Sequence, residues 1–187
     1  MDQHMHTPDA VRVALPQLAA ILAPDRTDIT ALLSLVLDDP ETYVGTYADI
    51  DYLCSEEGDL ARSGLLEMLD GTEFEIGPSL VANLDWRADV QTIRRCLASL
   101  DSCPAGLSWH WYSEFATATE EYPDDTVDIA GDFLTETGNQ GLRLGAALIS
   151  VTVGDCYYLA WCPAAEAEHV ISLLDAADYE GSGILRS

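Results

Sequence analysis

Two β-rich runs, 142–153 and 156–162, are separated only by Gly154 and Asp155, and no other feature constrains the fold as much. A two-residue loop of this composition favours a tight hairpin, so the two runs pair antiparallel. Pro163 then suits the first turn of a helix over 164–177, which carries Val170, Ile171 and Leu174 on one side.

The first half of the chain reads as helical. Over Asp9–Leu22, Val11, Leu15, Leu18 and Leu22 recur at spacings of three and four, although Pro16 leaves open whether the regular part starts only there. Asp28 is the expected N-cap of a helix over 29–37, which Pro40 ends. Tyr43, Tyr47 and Ile50 predict a short helix, and 59–69 a further one closed by Asp70-Gly71. From residue 72 the period changes. Phe74 and Ile76 alternate with charged residues and 80–86 alternates in part, which predicts two strands. Residues 89–100 place Val90, Ile93, Leu97 and Leu100 on one helical face, and 101–106 form a loop. The aromatic stretch 108–115 fits either period. Residues 125–137 read as a helix with Ile129, Phe133 and Leu134 inward, closed by Gly138. The sum is a single α+β domain over 1–187: a helical N-terminal half and a small antiparallel sheet, with its C-terminal β-hairpin, covered by helices. A subdivision near 71 would separate a helical 9–70 from an α+β 72–179.

Composition decides which partners are open to this fold. All eight basic residues are Arg, against 33 Asp+Glu, for a formal charge of −25 over 187 residues. A 48% apolar content separates the chain from disordered acidic tails and calls for a packed core. Without lysine there is no Schiff-base, P-loop or kinase-lysine chemistry. The negative charge also disfavours direct nucleic-acid binding and anionic membrane surfaces, both of which rest on Lys/Arg contacts. No apolar run approaches the roughly 18 residues of a membrane-spanning helix, and residues 1–10 lack the basic and apolar regions of a signal peptide. Five cysteines, an odd number without a CxxC pair, read as reduced thiols. The expected location is the cytoplasm.

The motif search yields no catalytic set, metal site or cofactor site. Asp49-x-Asp51 and Asp124-Asp125 resemble pieces of a hard-cation site, but Leu53 stands where a third oxygen ligand would follow, and no EF-hand Gly and Glu come after it. The thiols, His110 and His169 show no zinc spacing, and His4 and His6 read as incidental. There is no GxSxG elbow, and Gly181-Ser182-Gly183 reads as a loose end. Cys96, Cys156 and Cys162 read as small buried apolar groups.

The strongest functional signal is the distribution of carboxylates. Two long windows free of Arg hold Asp49, Asp51, Glu56 and Glu57 in one, and Glu120, Glu121, Asp124, Asp125 and Asp128 in the other. Uncompensated carboxylates repel one another, and a basic partner would relieve that repulsion while being steered to the surface. Trp109 and Trp111 share a face if 108–112 is extended, and as an exposed pair would anchor such a partner; packed inward, they would be core. Arg87, beside Trp86, reads as a structural partner of a nearby carboxylate.

The runs Leu84-Asp85-Trp86-Arg87, Leu107-Ser108-Trp109-His110-Trp111-Tyr112 and Gly154-Asp155-Cys156-Tyr157-Tyr158-Leu159 resemble a bacterial domain family of uncharacterised function over the second half of the chain. Small acidic proteins of that kind are similar to immunity proteins of polymorphic toxin systems. That likeness implies a non-enzymatic inhibitor that binds a basic toxin, such as a nuclease, and it supplies no catalytic residues. The alternatives are a nucleic-acid mimic that inhibits a DNA-binding protein, which would compete with duplex DNA, and an uncharacterised enzyme, which would show a deep pocket with converging polar groups. The sequence leaves the oligomeric state open.

Overall fold

The computed structural model describes residues 9–47, 60–71, 78–122, 126–179 and 181–187. Its elements run α1 (Asp9–Leu22), α2 (Thr27–Asp38), α3 (Pro40–Tyr47), α4 (Leu60–Asp70), β1 (Val81–Asp85), α5 (Val90–Ser99) and α6 (Tyr112–Glu121). There follow α7 (Thr126–Arg143), β2 (Ala146–Val153), β3 (Cys156–Pro163), a 3-10 turn at Ala164–Glu166, α8 (Ala167–Ala176) and β4 (Gly183–Ile184). The fold is α+β, as its periodicities predict. The strands form one antiparallel sheet in the order β1-β3-β2-β4.

The pleat sends alternate residues to two different cores. Ala147, Ile149, Val151, Tyr158, Ala160 and Cys162 join Leu15, Leu18, Leu33, Leu65 and Val170 from α1, α2, α4 and α8. Ala82, Leu84, Leu148, Leu159 and Trp161 join Ile93, Leu97, Phe133 and Leu134 from α5 and α7. Helices therefore cover both faces, which is why β3 reads as a continuous buried run rather than an alternating one. The first core draws on α1, α4, β2 and α8 together, so it spans the sequence position near 71.

Local chemistry sets most boundaries. Gly154 sits at φ +57 in the hairpin turn and Gly71 at φ +75 after α4, as their sequence contexts predict. Asp89 caps α5 by accepting a 2.6 Å hydrogen bond from the Thr92 N–H. Asp39 accepts from the Thr42 N–H just before Pro40 opens α3, and hydrogen bonding from the Thr42 side chain, reinforced by that N–H, holds the Asp39 carboxyl below its usual range.

Three expectations are corrected, and two points that the sequence left open, the start of α1 and the conformation of 108–115, are decided. α1 is helical from Asp9 with Pro16 inside it, because Val11, Ala14, Leu15, Leu18 and Leu22 are all buried and offset the missing backbone bond. Asp28 does not cap α2; it lies in the first turn and chelates the Arg26 side chain, with Nε and Nη2 donating at 3.0 and 2.8 Å. α7 runs through Gly138 to Arg143, and β2 starts only at Ala146. A β-carbon on Gly138 would overlap the Leu185 carbonyl, and one on Gly141 would overlap the Trp161 indole, so these glycines give close approach rather than a stop. The segment 181–187 is no loose end, since β4 pairs Ile184 with Ile149 and the Leu185 N–H donates to the Leu148 carbonyl. The stretch 108–115 is not extended: Trp111 lies at φ −78, ψ −11 and α6 begins immediately after it. The expected strand around Phe74 and Ile76, and Ile50, lie outside the described residues.

Candidate binding surface

The predicted partner residues fall in unlike places. Asp49, Asp51, Glu56, Glu57, Asp124 and Asp125 lie outside the described residues, and Asp128 belongs to the first turn of α7. Glu120 and Glu121 are exposed as the last two residues of α6. There they face the negative end of the helix dipole, where carboxylates are disfavoured and a cation is welcome. That imbalance recurs: among the described helices, only α7 carries a basic residue, Arg143, in its last turn.

Trp109 and Trp111 do not form an exposed pair. Trp111 is buried and donates from Nε1 to the Ser108 carbonyl at 2.8 Å, while half-buried Trp109 packs beside it with ring centroids 5.8 Å apart. Both rings lie on Phe133 of α7, at 6.2 and 5.2 Å, so this cluster welds the 107–112 turn to the second core. The Arg94 guanidinium covers it from α5, 4.8 Å from the Tyr112 ring.

Arginine is divided between two duties. Arg12, Arg26, Arg62 and Arg186 pair with Asp38, Asp28, Asp178 and Glu168. Arg26 holds the Asp28 carboxyl below its usual range through their hydrogen bonds. Arg87 and Arg94 instead lie over aromatic rings, and among the described residues neither contacts a carboxylate. Arg87 thus departs from its expected ion pair: its guanidinium stacks 4.6 Å from the Trp86 centroid, and its backbone N–H donates to Asp85 Oδ1 at 2.7 Å.

Next to that turn the second face of the sheet is incompletely covered. A cavity of about 170 Å3 opens between β1, β3 and the N-terminal half of α7, with Leu84, Ile93, Ala130, Leu134 and Leu159 as its floor and walls. Trp86 and Tyr157 stand at the same cavity, 37% and 36% exposed, in a protein whose Trp111 and Trp161 are buried. Sequence reading missed this site because Leu84, Leu134 and Leu159 look like any other core positions. The usable signal was Trp86, a large aromatic next to an arginine in a turn.

The cavity is lined by no His or Cys. Burial raises the Cys103 and Cys156 thiols, Asp85 adding to the effect at Cys156, and pushes Cys162 up to about 11, which suppresses the reactive thiolate. Among the described residues, no group of three or more His, Cys, Asp or Glu side chains is placed to hold a metal ion, and no helix is long and apolar enough to cross a membrane.

No curated protein and no solved structure matches the chain. A family model does, over residues 14–184, a span that holds the hairpin and, apart from Val11 and Leu185, both cores and the cavity lining. The chain therefore belongs to the DUF6630 family, a domain of unknown function.

Proposed function

We propose that this protein is a non-enzymatic, cytoplasmic binding protein that holds a basic protein partner against its carboxylates, as an immunity-type inhibitor neutralises a basic toxin such as a nuclease. The observation that carries this reading is the unbalanced charge: a net −25, with four of eight arginines tied to single carboxylates within the fold. Such a surface raises the rate at which a basic protein arrives, and each carboxylate set against a partner cation relieves self-repulsion. Glu120 and Glu121, at a helix end without a local cation, gain most from such a contact.

The experiment is capture of binding proteins from the native host at low salt, elution by raised salt, and identification by mass spectrometry. One basic protein released by salt is expected. Gln replacement of Glu120 and Glu121, with Asn replacement of Asp124, Asp125 and Asp128, should weaken its retention and flatten the salt dependence. Unchanged affinity and salt dependence in that variant would overturn the proposal. Displacement of the partner by duplex DNA would identify a nucleic-acid mimic instead.

A further inference from the structure

We infer that residues 183–187 occupy a single-strand slot that the same segment of a second copy of this chain also fills, so that two copies associate by exchanging these tails. The inference is independent of the basic-partner reading.

The slot is built from elements that stay in place without the tail. Its floor is the outer edge of β2, which pairs with β3 over all 8 residues from Ala146 to Val153, whereas β4 adds only Ile184 opposite Ile149 and Gly183 opposite Ser150. Its wall is α7. A β-carbon on Gly138 would overlap the Leu185 carbonyl, so the gap between α7 and β2 is one extended chain wide.

The occupant is read first through its main chain. The Leu185 N–H donates to the Leu148 carbonyl at 2.9 Å. The Ser187 N–H donates to Asn139 Oδ1 at 3.2 Å, and Asn139 Nδ2 donates to the Ser187 hydroxyl at 3.1 Å. Side chains then set the sequence: Ile184 packs against the first core, Leu185 against the second, and Arg186 Nη2 meets Glu168 Oε1 of α8 at 3.0 Å. A strand added to a sheet edge in this way takes affinity from main-chain bonds and specificity from its alternate side chains. The tail of a second copy carries every one of these features.

The tail is reached from α8 through Gly181-Ser182-Gly183, with Gly181 at φ +66, and Ile184 and Leu185 are only half-buried. Closed and exchanged forms make the same slot contacts, so tethering and repulsion between copies set their balance. A short tether is equivalent to a concentration on the order of millimolar. The net −25 on each copy adds a repulsion that salt screens, so this self-association grows with salt, opposite to retention of a basic partner.

The test uses two full-length variants, Arg186→Glu and Glu168→Arg. Each alone sets like charges across its own slot, both in the closed form and in a dimer with itself. In a mixture, each variant's tail meets the opposite charge in the other's slot. Light scattering at about 0.15 M NaCl should show the equimolar mixture dimerising at about tenfold lower concentration than either variant alone, the ratio expected from two surface pairs made instead of broken. The Leu185 amide should be better protected from hydrogen exchange in the mixture than in either variant. Equal association of the mixture and the single variants would overturn the exchange, as would a mixture still monomeric at about 1 mM. A mixed dimer without added protection at Leu185 would also overturn it, because its interface lies elsewhere.

Discussion

Tyr158 on β3 donates a 2.9 Å hydrogen bond to Glu67 Oε1 on α4, and its phenol oxygen accepts one from the Asn83 amide on β1 at 3.3 Å. One side chain thus ties a helix and two strands at the edge of the first core. Burial, reinforced by Glu67, pushes the phenol well above the ordinary tyrosine value. The unfolded phenol ionises near pH 10 while the folded one stays protonated, so above that pH the native state binds more protons. This contribution is therefore complete below pH about 10 and is lost as pH rises beyond it. Tyr158→Phe should cost about 1–2 kcal/mol at pH 7. It should also remove part of the stability loss between about pH 10 and 11. Urea unfolding of both proteins at the two pH values measures this; parallel pH profiles would contradict it.

The two close-approach glycines of α7 should respond differently to alanine. Gly141 faces the buried Trp161 indole, which has no room to move, so overpacking of about 1–3 kcal/mol should outweigh the helix propensity of about 1 kcal/mol that alanine adds. Gly138 faces the Leu185 backbone, which β4, the Leu185–Leu148 hydrogen bond and the Arg186–Glu168 pair hold in place. Both Gly141→Ala and Gly138→Ala should lower Tm, but only Gly138→Ala, which must push the tail off β2, should release the Leu185 amide to fast hydrogen exchange. A Leu185 amide that stays protected in Gly138→Ala would contradict this.

Salt should stabilise this protein. The four ion pairs are at least partly exposed, each worth about 0–1 kcal/mol, while the uncompensated carboxylates repel one another throughout. Raising NaCl from about 10 mM to 0.5 M shortens the screening length from about 30 Å to well under 10 Å and should raise Tm by several degrees. A Tm that falls with salt would mean that attractive pairs dominate.

Cys162 should resist alkylation in the native state. Burial pushes its thiol up to about 11, and only 4% of the residue is accessible between β2 and the first core. Maleimide at pH 7.5, followed by peptide mass spectrometry, should leave Cys162 unlabelled until denaturant is added. Rapid native labelling would place that strand outside the core.

Much of the fold was legible because local chemistry spoke for it: the Gly154 turn, Gly71 after α4, and the three-and-four spacing of apolar residues in α1 and α5 are properties of short segments. The errors share a cause. Gly138 looked like a helix stop, Gly181-Ser182-Gly183 like a free end and Asp28 like a cap because each residue type has that role when nothing distant intervenes. Here Leu185, β2 and Arg26 intervene.

The candidate site was legible only as charge. Glu120 and Glu121 are exposed as expected, but Trp109 and Trp111 serve the core through Phe133, while Trp86 takes the exposed position beside a cavity. A tryptophan carries the same apolar surface in either place, so its sequence neighbourhood does not say which one it occupies.

The amino-acid sequence by itself determined the antiparallel hairpin, the helical faces and the acidic surface, since turn geometry, periodicity and charge act within a few residues or over the whole chain. Tertiary structure alone decided that helices cover both sheet faces, that α7 runs through two glycines, and that a pocket opens beside Trp86. Those outcomes depend on which distant side chains meet and how completely they fill the space between them, and complementarity of that kind is not a property of any one segment.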